Sequence, residues 1–295
     1  MASKNTAGIA SSTPQRFETA TGVTIAGEAW GPVSGLPVLF IHGGGQTRHS
    51  WKQTAQYVAS QGEYRAITID LRGHGESDYA PDGDYRLDRF VEDIAGVVSH
   101  LSQPPVFVGA SLGGMIAILL VGEQGVRALG VVLVDVAPRL EEAGVDRIFS
   151  FMQSHQDGFN SLEEAAAAVE DYLPHRKRPL DVSGLEKNLR KGDDGRYYWH
   201  WDHRMLRHAH REKARHEERL LAAAQSITVP VLLLRGILSD VVSKEVVAEF
   251  QRAVPHARHL DITDAAHTVA GDSNSAFTEA VLSFLQDVNK SDIRT

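Results

Sequence analysis

Ser111 stands in "VFVGASLGGMIA" (106–117), where a β-branched run gives way to an apolar run that continues like a helix. Gly109 lies two residues before it and Gly113 two after, so the chain turns tightly and leaves a hydroxyl at the tip. Such a hydroxyl either caps the helix or serves as a nucleophile, and a nucleophile needs a base within hydrogen-bond reach. Imidazole is suited to that work near neutral pH. Asp240 follows "PVLLLRGILS" and His267 follows "LDITDAA", so Ser111, Asp240 and His267 each come after an apolar run, in that order. The chemistry open to the three is acyl transfer. Ser111 attacks a carbonyl, His267 takes and returns the proton, and a carboxylate fixes the imidazole tautomer and stabilises the imidazolium. Asp135, closing "GVVLVD" (130–135), competes with Asp240 for the carboxylate's place. Asp70, opening "DLRGHG", reads as structural.

The elements that must position these residues are legible. Short apolar runs predict buried strands at "PVLFIH" (37–42), "RAITID" (65–70), "PVFVGA" (105–110), "GVVLVDVA" (130–137), "PVLLLRG" (230–236) and "ARHLDIT" (257–263). Such nearly continuous apolar strands imply a parallel sheet covered on both faces. "RFETATGVTIAGEAW" (16–30) alternates instead and carries a Thr21-Gly22 turn signal, which predicts an antiparallel edge hairpin. Leu87, Phe90, Val91, Ile94, Val98 and Leu101 keep the spacing of a one-sided helix, as do Phe277, Ala280, Val281, Phe284, Leu285 and Val288.

The fold class is therefore α/β, a doubly wound, mostly parallel sheet of about eight strands flanked by helices. Ligands of such sheets bind beyond the carboxyl ends of the strands, where Ser111, Asp240 and His267 fall. The rhythm stops after Pro138 and resumes at Pro230. The strand-poor stretch between them includes "SLEEAAAAVEDYL" (161–173), with capping-box spacing of Ser161 and Glu164, and reads as a helical cap inserted after the sixth strand. The expected organisation is a flexible arm over residues 1–15, a core over 16–137 and 227–290, and the cap over 138–226.

With the strand before it, the helix after it and both partners in order, Gly-x-Ser-x-Gly resembles the nucleophile elbow of the α/β-hydrolases. The resemblance runs from about Phe17 to Asp287 outside the cap. "HGGGQTRHSW" (42–51), "DLRGHGES" (70–77), "SDVVSKEVVAEF" (239–250) and "AAHTVAGDSNSAF" (265–277) carry it further. More narrowly, the chain is similar to capped esterases, carbon–carbon bond hydrolases and cofactor-free haloperoxidase (perhydrolase) relatives. This implies an oxyanion hole at the backbone N–H groups of Leu112 and Gly44. Trp51, nine residues after His42, matches the group with a single donor residue after His-Gly, so Gly44 is the expected donor above a roomy floor. "RGILSD" fits the commoner placement of the acid, which favours Asp240; cofactor-free dioxygenases are among the relatives that take it from the strand of Asp135. Ala266 stands before His267, where the family usually has Gly. In "YYWHWDHRMLRHAH" (197–210), Trp199 and His203 are the expected substrate contacts. Tyr197, Tyr198, Trp199 and Trp201 read equally as an aromatic roof over the site or as the cap's own core.

Composition narrows the partners. A net charge of −8 argues against nucleic acid, and the absence of cysteine excludes disulfides, thiolate metal sites and a cysteine nucleophile. His200, His203, His208 and His210 lack a His-Glu-x-x-His pattern and read as a solvated helical face, so no metal or organic cofactor is expected. No apolar stretch is long enough to span a bilayer and the N-terminus has no secretory h-region, so a cytoplasmic protein acting on a small molecule is expected, with a homodimer left open. The leading function is hydrolysis of a small carboxylic ester, lactone or related acyl substrate through an acyl-enzyme; cleavage of a carbon–carbon bond beside a ketone is its variant. A Ser111 nucleophile speaks against epoxide hydrolases and haloalkane dehalogenases, whose relatives use Asp there. The other readings are a cofactor-free perhydrolase or oxygenase, in which Ser111 only positions the substrate, and a ligand receptor without turnover.

Overall fold

A computed structural model describes residues 11–172, 182–209, 213–263 and 275–292. The chain opens with an antiparallel hairpin of β1 (Thr13–Glu18) and β2 (Thr24–Trp30), with Phe17 opposite Ile25 and both buried. This is the hairpin the alternation predicts. There follow β3 (Leu36–Ile41), α1 (Lys52–Ala59), β4 (Tyr64–Ile69), α2 (Leu87–Ser99), β5 (Val106–Ala110), α3 (Leu112–Ile118) and β6 (Gly130–Val134).

After β6 the chain leaves the sheet. It forms α4 (Glu142–Gln153), α5 (Leu162–Tyr172), a small antiparallel pair of β7 (Leu189–Lys191) and β8 (Tyr197–Trp199), α6 (Leu206–Ala209) and α7 (Lys213–Gln225). It then returns through β9 (Val231–Gly236), α8 (Lys244–Ala253), β10 (Arg258–Ile262) and α9 (Ser275–Asp292). Among the described residues no helix is long and apolar enough to cross a membrane.

The eight-stranded sheet runs β1-β2-β4-β3-β5-β6-β9-β10, parallel from β4 onward and antiparallel only at the β1 and β2 edge. Every residue of β3, β5, β6 and β9 is buried, and the side-chain period of two divides them between two cores. Leu39, Ile41, Phe107 and Leu133 face the layer of Phe90, Ile94 and Ile116 on α2 and α3. Val38, Phe40, Val106, Val108 and Val132 face Val58 of α1 and Phe277, Val281 and Phe284 of α9.

The strand order reverses at β3, which has β4 on one side and β5 on the other. A crevice opens beyond the carboxyl ends of strands at such a reversal. The loops leaving β3 and β5 there carry Gly43–Gly45 and Ser111.

The inserted segment differs from a purely helical cap, because β7 and β8 pair across a turn in which Gly195 has a φ of 82°. Its last helix, α7, is anchored to the sheet layer. Arg219 pairs with Glu123 at 2.6 Å and with Asp88 at 2.5 Å, and a methyl group at Gly122 would lie 1.9 Å from the Ala223 carbonyl oxygen.

Candidate active site

Ser111 has φ 47° and ψ −116°, a left-handed conformation for a residue that carries a Cβ. Strain of this kind costs about 1–3 kcal/mol and persists only where the surroundings enforce it. The enforcement here is close packing of α3 on the strand ends. A methyl group at Gly109 would lie 2.4 Å from the Gly113 carbonyl oxygen, and one at Gly113 would lie 2.3 Å from that of Ile41. The turn therefore throws the Ser111 side chain forward, off the backbone. Gly109→Ala forces these backbones apart; its expected effect is a loss of about 1–3 kcal/mol of stability, read as a lower urea midpoint at unchanged m. An unchanged midpoint would show that the turn has slack.

The loop after β3 lies directly beside the serine, since a methyl group at Gly43 would sit 3.2 Å from the Ser111 Cβ. Its backbone is held from several sides. The Gly43 N–H donates to Gln46 Oε1 at 3.1 Å, the Gln46 N–H to the Gly43 carbonyl at 3.1 Å, and the Gly45 N–H to His74 Nε2 at 3.0 Å. A methyl group at Gly44 would meet nothing within 4 Å, so this residue borders open space. Leu112 opens α3, and the first N–H groups of a helix have no intrahelical acceptor.

Two buried histidines fix this loop to the turn after β4. His42 Nε2 accepts from the Leu71 N–H at 3.0 Å and its Nδ1 lies 2.7 Å from the Gly43 carbonyl. His74 Nδ1 lies 2.9 Å from the Arg72 carbonyl, and the two rings meet edge to face at 4.9 Å. With Nε2 accepting and Nδ1 beside a carbonyl, each ring is a neutral Nδ1–H tautomer. Burial holds both pKa values below the usual histidine range; His74, with His42 as a neighbour, is lowered to about 3. Asp70 is the hub of the same turn, as its sequence context predicts. It is fully buried, accepts from the Arg48 N–H at 2.7 Å and the Glu76 N–H at 3.0 Å, and pairs with the Arg48 guanidinium.

These histidines make stability depend on acid. Below pH ~6.5 the unfolded chain binds protons that the folded chain refuses, so stability is full above that pH and falls by about 1.4 kcal/mol per pH unit for each such group. For His74 the loss continues down toward pH 3. Urea unfolding between pH 7 and 4.5 should show this slope, and His74→Gln should flatten it by about one proton's worth. Equal slopes in both proteins would remove His74 as the cause.

The two candidate acids differ sharply in surroundings. Asp135 follows β6, directly beside the end of β5: the Ser111 N–H donates to the Val134 carbonyl at 3.2 Å. It is fully buried and, like Ser111, left-handed, with φ 50°. Its carboxylate accepts from the Gly236 N–H at 3.2 Å and from the Ser239 hydroxyl at 2.7 Å. Asp240 is one-third exposed and pairs with Arg147 of the cap helix α4 at 2.6 Å. The strand end that precedes His267 is β10 at Ile262; His267 itself lies outside the described residues.

Ser111 opens on a cavity of about 740 Å³ between the sheet and the inserted segment, bordered by Gly43, Gly44 and Leu112. Trp199 and Trp201 stack 4.9 Å apart at 10°, line this cavity and are almost wholly buried, so they are both roof and cap core. Tyr197 and Tyr198 stand half-buried on the hairpin. His203 lines a second depression of about 440 Å³ with Tyr79, Arg190 and Tyr198, which Trp199 and Trp201 also border, and burial lowers its pKa. Sequence reasoning missed Met152 of α4, which together with Trp201 rests against Gly45; a methyl group there would lie 3.1 Å from the Met152 Cε. Among the described residues no group of three His, Asp or Glu is arranged to hold a metal ion.

Residues 37–273 match the alpha/beta hydrolase fold family. An esterase of Mycobacterium tuberculosis is 31% identical over 259 residues, covering 85% of this chain and 83% of its own. The 2-(acetamidomethylene)succinate hydrolase of Mesorhizobium japonicum is 26% identical over 257 residues, covering 85% of this chain and 88% of its own. A crystal structure of E-2-(acetamidomethylene)succinate hydrolase superposes with a TM-score of 0.82 at 22% identity, covering 94% of this chain and all of that one.

Proposed function

Because this chain belongs to the α/β-hydrolase family, with esterase relatives, we propose that it is a serine hydrolase that cleaves a small-molecule ester, lactone or related acyl substrate through an acyl-enzyme. The strained Ser111 turn beside the open Gly44 backbone carries this reading. Ser111 attacks the carbonyl, His267 takes its proton and later protonates the leaving group, and the oxyanion rests on the N–H groups of Gly44 and Leu112. Each such donor is worth about 3–4 kcal/mol to the transition state.

The acid in this proposal is Asp135. A carboxylate that orients an imidazole must itself be held, and burial between two donors supports Asp135 where the Arg147 pair draws Asp240 toward the cap. Trp199 forms the roof over the bound substrate. The test is the intact mass after treatment with a fluorophosphonate. One adduct on the wild type, lost in Ser111→Ala and in His267→Ala, is expected; a folded wild type that takes no adduct and turns over no ester would sink the proposal.

An acid placed just after β6 also favours a second reading, in which the His267–Asp135 pair deprotonates a substrate that then reacts with dioxygen. Turnover independent of oxygen eliminates it.

A further inference from the structure

We infer that the Ser111 cavity receives an apolar acyl chain of about eight to twelve carbons; the inference rests on the ester-hydrolase reading and names the esters its site selects. Three observations carry it. The first is capacity. At roughly 30 Å³ per water-sized group, 740 Å³ holds about two dozen non-hydrogen atoms, far more than an acetyl ester presents.

The second is the wall. Val145, Ile148, Phe149 and Met152 occupy successive turns of one face of α4, and all four line the cavity. On α2 the comparable residues Val91, Ile94 and Val97 are fully covered by the core. On α4, Val145, Ile148 and Phe149 are only half-buried, because their outer surface faces the cavity. Leu112 and Met115 of α3 line the same cavity from the sheet side. An apolar stripe left half-covered in this way gains by meeting an apolar ligand.

The third is charge. Arg86 is held by Asp84 at 2.6 Å, Lys187 is exposed, and Glu217 adds a negative charge to the lining. Among the described residues that line the cavity, His49 and His216 included, none is a fully buried cation able to clamp a dicarboxylate, the class of compound for which one relative is named.

Each methylene that leaves water for such a wall raises kcat/KM by about fourfold until the space is full. The test is kcat/KM for p-nitrophenyl acetate, butyrate, octanoate, decanoate and palmitate, with the hemisuccinate ester as the charged comparison. The expected profile climbs at least about 100-fold from acetate to octanoate or decanoate and falls at palmitate. Ile148→Trp, or Val145→Phe should that variant fail to fold, should move the optimum to a shorter chain. An optimum at acetate or hemisuccinate, or a profile that neither variant moves, overturns the inference while leaving the hydrolase reading intact. Should no ester be cleaved, calorimetry of decanoate on the wild type decides. Binding with a negative heat-capacity change keeps the chain site and discards the hydrolase reading; no binding discards both.

Discussion

Ser111→Ala is expected to fold like the wild type, to take no fluorophosphonate and to lower kcat/KM for an activated ester by on the order of 10³- to 10⁶-fold. The size follows from the role proposed for the residue. Removing the nucleophile abolishes the acyl-enzyme route, and what remains is water attack helped by the oxyanion donors and by substrate binding. The fold should be unharmed, because alanine keeps the Cβ while the chain loses only a hydroxyl that makes no cap bond to the turn. The Ser111 backbone, not its side chain, makes the bonds there: its carbonyl accepts from the Gly114 N–H at 2.9 Å and the Met115 N–H at 3.1 Å. Equal turnover by both proteins would mean that the turn positions substrate for chemistry led by the His–Asp pair.

Asp135→Asn should cost about 10⁴-fold in kcat with little change in KM, whereas Asp240→Asn should stay within a few fold of the wild type. An amide at residue 135 leaves the imidazole without a charge partner and presents it with the wrong tautomer. The Gly236 N–H and the Ser239 hydroxyl bond different carboxylate oxygens, so the Asn carbonyl keeps one of these two buried bonds and the other is lost. Asp240 is different in kind. Its pair with Arg147 is between groups that are 33% and 52% exposed, and pairs of that sort contribute about 0–1 kcal/mol. The measurement is kcat and KM for both variants, with near-ultraviolet circular dichroism to confirm folding. A reversed result would restore Asp240 to the role that its sequence context favours.

The choice between these two carboxylates shows where sequence patterning runs out. The sheet was readable because its strands are buried on both sides, and runs such as "PVLFIH" have nothing else to become. Phe17 and Ile25 announced the edge hairpin through the opposite signal, alternation. Ser111 was readable because glycines at fixed offsets, between a strand and a helix, force a sharp turn that lifts its hydroxyl clear of the backbone. Asp135 and Asp240 look alike in one dimension, each a carboxylate just past an apolar strand. What separates them is Arg147, nearly a hundred residues before Asp240 and on an inserted helix, which no local pattern connects to it.

The inserted segment was the least legible part for the same reason. Its β7 and β8 are three residues each, too short for alternation to register, although Asp194-Gly195 carries a turn signal. Trp201 lines both hollows, whereas His203, two residues later, lines only the smaller one, because the orientation of each cap side chain is set by packing rather than by spacing. α7 reads as one more cap helix until Arg219 and Gly122 tie it to the sheet.

The contact of Met152 and Trp201 with Gly45 gives the inserted segment two obligations of unequal strictness. Where it touches the glycine loop it acts as a buttress, and under the proposed mechanism changes there cost reaction rate whatever the substrate. Along the rest of α4 it acts as upholstery, free to be recut. Selection for a new substrate would then leave the buttress standing and rework the stripe from Val145 to Phe149, so that descendants of one chemistry come to differ in appetite while sharing a single seat.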